Sequence, residues 1–219
     1  MPSSDPASPP AAVRQVDSAS ASVLTDLTAR FEDLQTVLKC CERLVSELAV
    51  KDREPDDVLV EAVWTVALLS YARCFAVGKA GAETALSEED LTAALSNTDV
   101  LDWHKVLLQL RDHYADPVVN PREQFSVGVA QDASGGPGGI AITSARQPLV
   151  DDLTVRQTGA IAFALSGLVN DRIAAQQEKV FGELQHISKE DLDQMPLIDV
   201  TQAQAQAEAS PATGSPSES

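Results

Sequence analysis

With 219 residues and a formal net charge of −17, from 33 acidic against 16 basic side chains, the chain has the length of one ordinary domain and a field that opposes phosphate. No Lys/Arg block offsets that charge in any segment. This argues against nucleic acid as a general partner, although a local basic pocket survives because screening cuts interactions beyond ~8 Å at physiological ionic strength. Hydrophobic residues make up 44% of the chain and aromatics only 4%, so the core must come mostly from Ala, Val and Leu, which suits closely packed helices.

The first twenty residues are rich in Ser, Ala, Pro and Asp, and residues 201–219 are rich in Ala, Gln, Ser and Glu without an apolar face. Both ends read as disordered tails around a folded domain over 21–200. The N-terminus lacks the apolar core of a signal peptide, and the three cysteines, Cys40, Cys41 and Cys74, show no metal spacing. Free thiols in a reducing cytoplasm are the expectation.

Leu24, Leu27, Phe31, Leu34, Leu38, Cys41, Val45 and Leu48 recur at alternating spacings of three and four, the seam of a coiled-coil-like helix. Ser22 is the expected N-cap and the run Lys51 to Pro55 the stop. The seam either meets another helix of the chain or supports self-association through Leu24, Leu27, Phe31, Leu34 and Leu38, with the intrachain partner favoured at this length. A second helix is predicted over about 56–77 and is apolar nearly all round, as for a helix covered on several sides. It approaches membrane-span length but carries Glu61 and Arg73, so it reads as a core helix and no membrane contact is expected.

Gly78 to Gly81 ends that helix, and Ser87 to Asp90 has the form of a capping box opening a short helix to about residue 96. Asp99 is placed to cap the next, which runs to His113 or Tyr114 before Pro117 and Pro121. Alternation over 125–130 and 139–144 predicts a β-hairpin with Phe125, Val127 and Val129 facing inward and a flexible glycine-rich tip. That tip lacks the Lys-Ser/Thr ending of a phosphate loop and leads into a strand. Asp151 or Asp152 caps a last long helix to Leu184, and a short turn over 188–192 precedes Pro196. The fold class is therefore mostly α: a single up-and-down bundle of four long helices with one inserted hairpin.

Candidate chemistry is confined to the stretch from Ala67 to Val127. Arg73 lies in core-forming sequence and needs a partner, for which Asp102, Asp112 and Asp116 are candidates; a structural ion pair is the default, and an anion or carbonyl site with Tyr71 and Arg111 the alternative. His104 and His113 are nine residues apart, on opposite sides of one helix, and cannot share a metal. No nucleophile elbow, paired carboxylates or Cys/His pair emerges, and neither metal nor cofactor is implied.

The run Ser70-Tyr71-Ala72-Arg73, then Leu110-Arg111-Asp112-His113-Tyr114 and Asn120-Pro121-Arg122-Glu123-Gln124 before a hairpin, resembles a group of actinobacterial helical proteins akin to the HEPN superfamily. The resemblance spans roughly residues 59–169. In HEPN ribonucleases an Arg, a polar residue, three variable positions and a His act on the RNA phosphate and 2′-hydroxyl. Here Arg111 takes the Arg position, Asp112 the polar one, and Asp116 stands where His is required. The resemblance thus implies a non-enzymatic binding or regulatory member, monomeric or dimeric, with Tyr71, Arg73, Arg111, His113 and Asn120 as candidate binding residues. A ribonuclease or toxin component with an altered arrangement is the second reading, and an assembly subunit built on the first helix the third.

Overall fold

Ser18, in extended backbone, accepts a hydrogen bond from the Ala21 amide and opens α1, Ala19–Leu48. Ser22 is not the cap: Ala19 and Ala21 are strong helix formers, the helix starts at Ala19, and the Ser22 amide already donates to the Ser18 carbonyl at 3.0 Å. The computed structural model describes residues 13–95, 99–118 and 120–198. After α1 come α2 (Asp57–Cys74), a 3₁₀ turn (Ala82–Thr84), α3 (Glu88–Ala94) and α4 (Val100–Ala115). The hairpin strands β2 (Glu123–Gln131) and β3 (Pro137–Arg146) precede α5 (Asp152–Leu184) and α6 (Lys189–Gln194). The expected mostly-α bundle with an inserted hairpin is what forms.

Helix α1 packs between α5 on one side and α2 on the other, α4 lies against α2, and α3 bridges α4 and α5. Neighbours run antiparallel: Ser20 at the start of α1 bonds Glu183 at the end of α5, Asp33 meets Arg73 of α2, and Tyr71 of α2 meets His104 of α4. Two neighbours give α1 a broad buried arc. Its centre runs through Leu27, Arg30, Leu34, Val37, Cys41 and Leu44. The expected seam is therefore right at Leu27, Leu34 and Cys41 but displaced elsewhere, because Leu24, Phe31, Leu38, Val45 and Leu48 fall on a half-buried flank. Of these, Phe31, Leu38, Val45 and Leu48 pack against the chain's own core.

Asp56 caps α2 through the Leu59 amide, and the Asp56 amide in turn donates to the buried Glu47 carboxylate at 3.1 Å, so the end of α1 fixes the start of α2. That bond, with Arg53, holds Glu47 below the usual carboxylate range. Helix α2 ends at Cys74, earlier than residue 77. Buried Arg30 donates to the Ala76 carbonyl at 2.7 Å and Asp26 accepts from the Ala80 amide at 2.8 Å, pulling the exit loop onto α1. A Cβ at Gly78 would lie 2.2 Å from the Asp26 carboxylate, so a larger residue there would push Asp26 off the Ala80 amide. Nor is α2 covered all round. Its main neighbours are α1 and α4, and Val58, Val66 and Leu69 are exposed.

The Ser87–Asp90 capping box forms as expected, and Asp90 also pairs with Arg172 of α5. Asp99 holds the N-cap position of α4, and Asp151 rather than Asp152 caps α5 through the Thr154 amide at 2.8 Å. The expected tails extend outside the described residues at 1–12 and 199–219. Within the described ones, part of the expected N-terminal tail is structured: β1 (Val13–Arg14) pairs antiparallel with β4 (Leu197–Ile198), and Arg14 donates to the Asp193 and Met195 carbonyls. Strands of two residues have no periodicity to read.

Candidate functional site

Helices α2 and α4 position the predicted site residues, and each meets a local partner. Tyr71 is fully buried, and its hydroxyl shares a hydrogen bond of 2.9 Å with His104 Nδ1; Phe75 stacks on His104 with ring centroids 4.3 Å apart. Burial pushes Tyr71 up and His104 down, so both are neutral at physiological pH. Arg73 is more than half exposed and pairs with Asp33 of α1 as well as Ser70. The structural ion pair forms, but its partner is none of Asp102, Asp112 or Asp116, because α2 lays this face against α1.

Arg111 Nε lies 2.9 Å from Asp112 Oδ1 without hydrogen-bond alignment and is out of solvent, so the contact is charge pairing alone. His113 meets Tyr114 edge to face at 6.1 Å between ring centres. Asn120 Oδ1 accepts from the Arg122 amide at 2.9 Å, an Asx turn that leads the chain into β2. No hydrogen bond or ion pair joins any two of Tyr71, Arg73, Arg111, His113 and Asn120. Each has its own local partner.

Among the described residues no cluster of three metal-ligating side chains occurs and no helix is long and apolar enough to cross a membrane. The thiols are free, and burial pushes Cys41 and Cys74 up to about 12, which leaves them unreactive. A cleft of about 450 Å³ opens where α4 and α5 diverge, walled by Leu95, Val100, Trp103, Val106, Ala160 and Ile161, with Asp99, Asp102 and Gln157 supplying polar atoms.

The hairpin overturns the inward-facing expectation. Register places Phe125 opposite Ser144, Val127 opposite Ile142 and Val129 opposite Ile140. These side chains share one face, and the five apolar ones are 60–72% exposed. Four long helices already close the core, so the hairpin projects from them. Its side-chain ties to the bundle among the described residues lie near its base, where Arg122 pairs with Glu61 and Arg146 with Asp57 at 2.8 Å, the two acids sitting one turn apart on α2. Sequence reasoning missed this clamp, although Asp57 and Glu61 at i, i+4 and an arginine at each end of the hairpin were its visible signal. The tip is not slack: Asp132 accepts from the Ser134 and Gly136 amides, and Gly135 supplies the positive φ of 84° that the turn needs.

Removing the clamp should release the hairpin without harming the bundle. In an Arg122→Ala, Arg146→Ala double variant, chymotryptic cleavage after Phe125 is expected to accelerate while helical circular dichroism stays at the wild-type value, since exposed pairs contribute only about 0–1 kcal/mol each. Unchanged cleavage would show that the ion pairs do not hold the hairpin.

No family model matches the chain, and comparisons with curated proteins and with solved structures find no match either.

Proposed function

We propose that the chain is a non-enzymatic binding or regulatory module of HEPN-like type, acting in the cytoplasm through protein–protein contact. The observation that carries this reading is the exposed apolar face of the hairpin, Phe125, Val127, Val129, Ile140 and Ile142, on a chain whose candidate reactive groups are each engaged in a separate local contact. Contiguous apolar patches of several hundred Å² on soluble proteins mark interaction sites. A general base or acid must converge with another group on one substrate, and no hydrogen bond or ion pair links Tyr71, Arg73, Arg111 and His113 to one another. Asp116, at the position where a HEPN ribonuclease needs His, adds a carboxylate that repels phosphate.

The test is a pull-down from extract of the source cells with wild type and a Val127→Asp, Ile142→Asp variant as baits. The expected result is a partner retained by wild type and lost with the variant; identical captured sets would contradict the reading. The purified protein is also expected to leave RNA intact relative to a blank. Cleavage by wild type that disappears in both Arg111→Ala and His113→Ala would establish the ribonuclease reading instead.

A further inference from the structure

We propose that the apolar hairpin face docks a second copy of this chain, the two hairpins packing face to face into a four-stranded sandwich. The proposal rests on reading this face as the binding surface, and it names the occupant.

Area is the first argument. Five side chains, each well over half exposed, form one contiguous patch on the order of 500 Å². Two such patches together reach roughly 1,000 Å², the size of a weak, reversible interface, and one that is more apolar than most of that class. The face is also regular. Val127 sits opposite Ile142 and Val129 opposite Ile140, so β-branched side chains stand in a short double row that an identical row can interdigitate with at about 10 Å between sheets. A two-stranded hairpin is marginal alone in water, and a second sheet supplies the missing layer.

Charge is the second argument. Each copy carries −17, so most of its surface repels another copy. The hairpin region departs from this: Arg122 and Arg146 face Glu123 and Asp132 within residues 122–147 and Glu61 and Asp57 at the clamp, two positive charges against four negative ones, so it carries only −2. The apolar residues themselves are bordered on their own face by the cross-strand pair Glu123 and Arg146, one of each sign. The charge around this face is thus small beside the −17 of the whole chain, and a second copy meets little repulsion here. The five apolar side chains are exposed, so this face is open to a like face.

Sedimentation equilibrium of the full chain from about 1 to 100 μM tests this, the span in which an interface of this size is populated. Wild type is expected to approach twice the 23.2 kDa chain mass at the upper end, and added salt should strengthen association by screening the net charge. Val127→Asp with Ile142→Asp should remain monomeric with unchanged helical circular dichroism, and Val129→Asp with Ile140→Asp should do the same by an independent pair of positions. A dimer that survives both double variants, or one that salt dissociates, overturns the proposal. A monomeric wild type also overturns it; if extract partners are still lost with the variant, the binding surface stands with another occupant, and if they are not, both readings fall.

Discussion

Leu34→Ala is expected to lower the free energy of unfolding by about 2–5 kcal/mol, and Leu38→Ala by distinctly less. Leu34 is fully enclosed between α1 and its neighbours, whereas Leu38 lies on the half-buried flank of the helix. A cavity where Leu34 was has walls on every side and cannot collapse, while a truncated Leu38 partly exchanges protein contacts for water. Urea denaturation of both variants measures the difference directly. Equal losses would restore the symmetric seam that the spacing of the apolar residues suggests and would contradict the observed rotation of the helix.

Tyr71→Phe is expected to cost about 1–3 kcal/mol, because it keeps the ring in its packing site and leaves His104 Nδ1 buried without its partner. The same pair predicts a pH dependence. His104 is held below its ordinary value in the folded chain, chiefly by burial, with Lys105 opposing protonation and Glu88 favouring it. As pH falls through about 6.5 the unfolded chain takes up a proton that the folded chain refuses, so stability is present above that pH and is lost on acidification toward the lower folded value. Thermal melts between about pH 7 and pH 5 should therefore show a falling midpoint in wild type and a flatter profile in His104→Gln, whose amide does not titrate. A slope unchanged by the substitution would place the titrating group elsewhere.

Much of the fold was legible because its signals are local. The Ser87–Asp90 capping box, Asp56 and Asp151 at helix starts, the prolines after α4 and the two alternating runs of the hairpin each specify structure within a few residues. What was not legible depends on which face of an element meets which neighbour. The alternating three-four pattern of α1 admits two adjacent stripes, and only the presence of α2 and α5 on either side selects the one through Arg30, Val37 and Leu44. Likewise the alternation of Phe125, Val127 and Val129 identifies a strand with one apolar face but says nothing about whether the bundle has room for it. Arg73 shows the same limit at the candidate site: its need for a carboxylate follows from the sequence, while the choice of Asp33 follows from the antiparallel packing of α1 and α2.

Hydrogen exchange of the hairpin amides at low and high protein concentration tests the central claim, that the hairpin presents an open apolar face which a second copy covers. At low concentration the ladder between β2 and β3 should exchange far faster than α1 and α5, as expected for a two-stranded unit outside the core. At high concentration the ladder amides around Val127 and Ile142 should slow while those of α1 and α5 keep their rates. Hairpin exchange that is the same at both concentrations, or already as slow as the long helices in the monomer, would contradict the account.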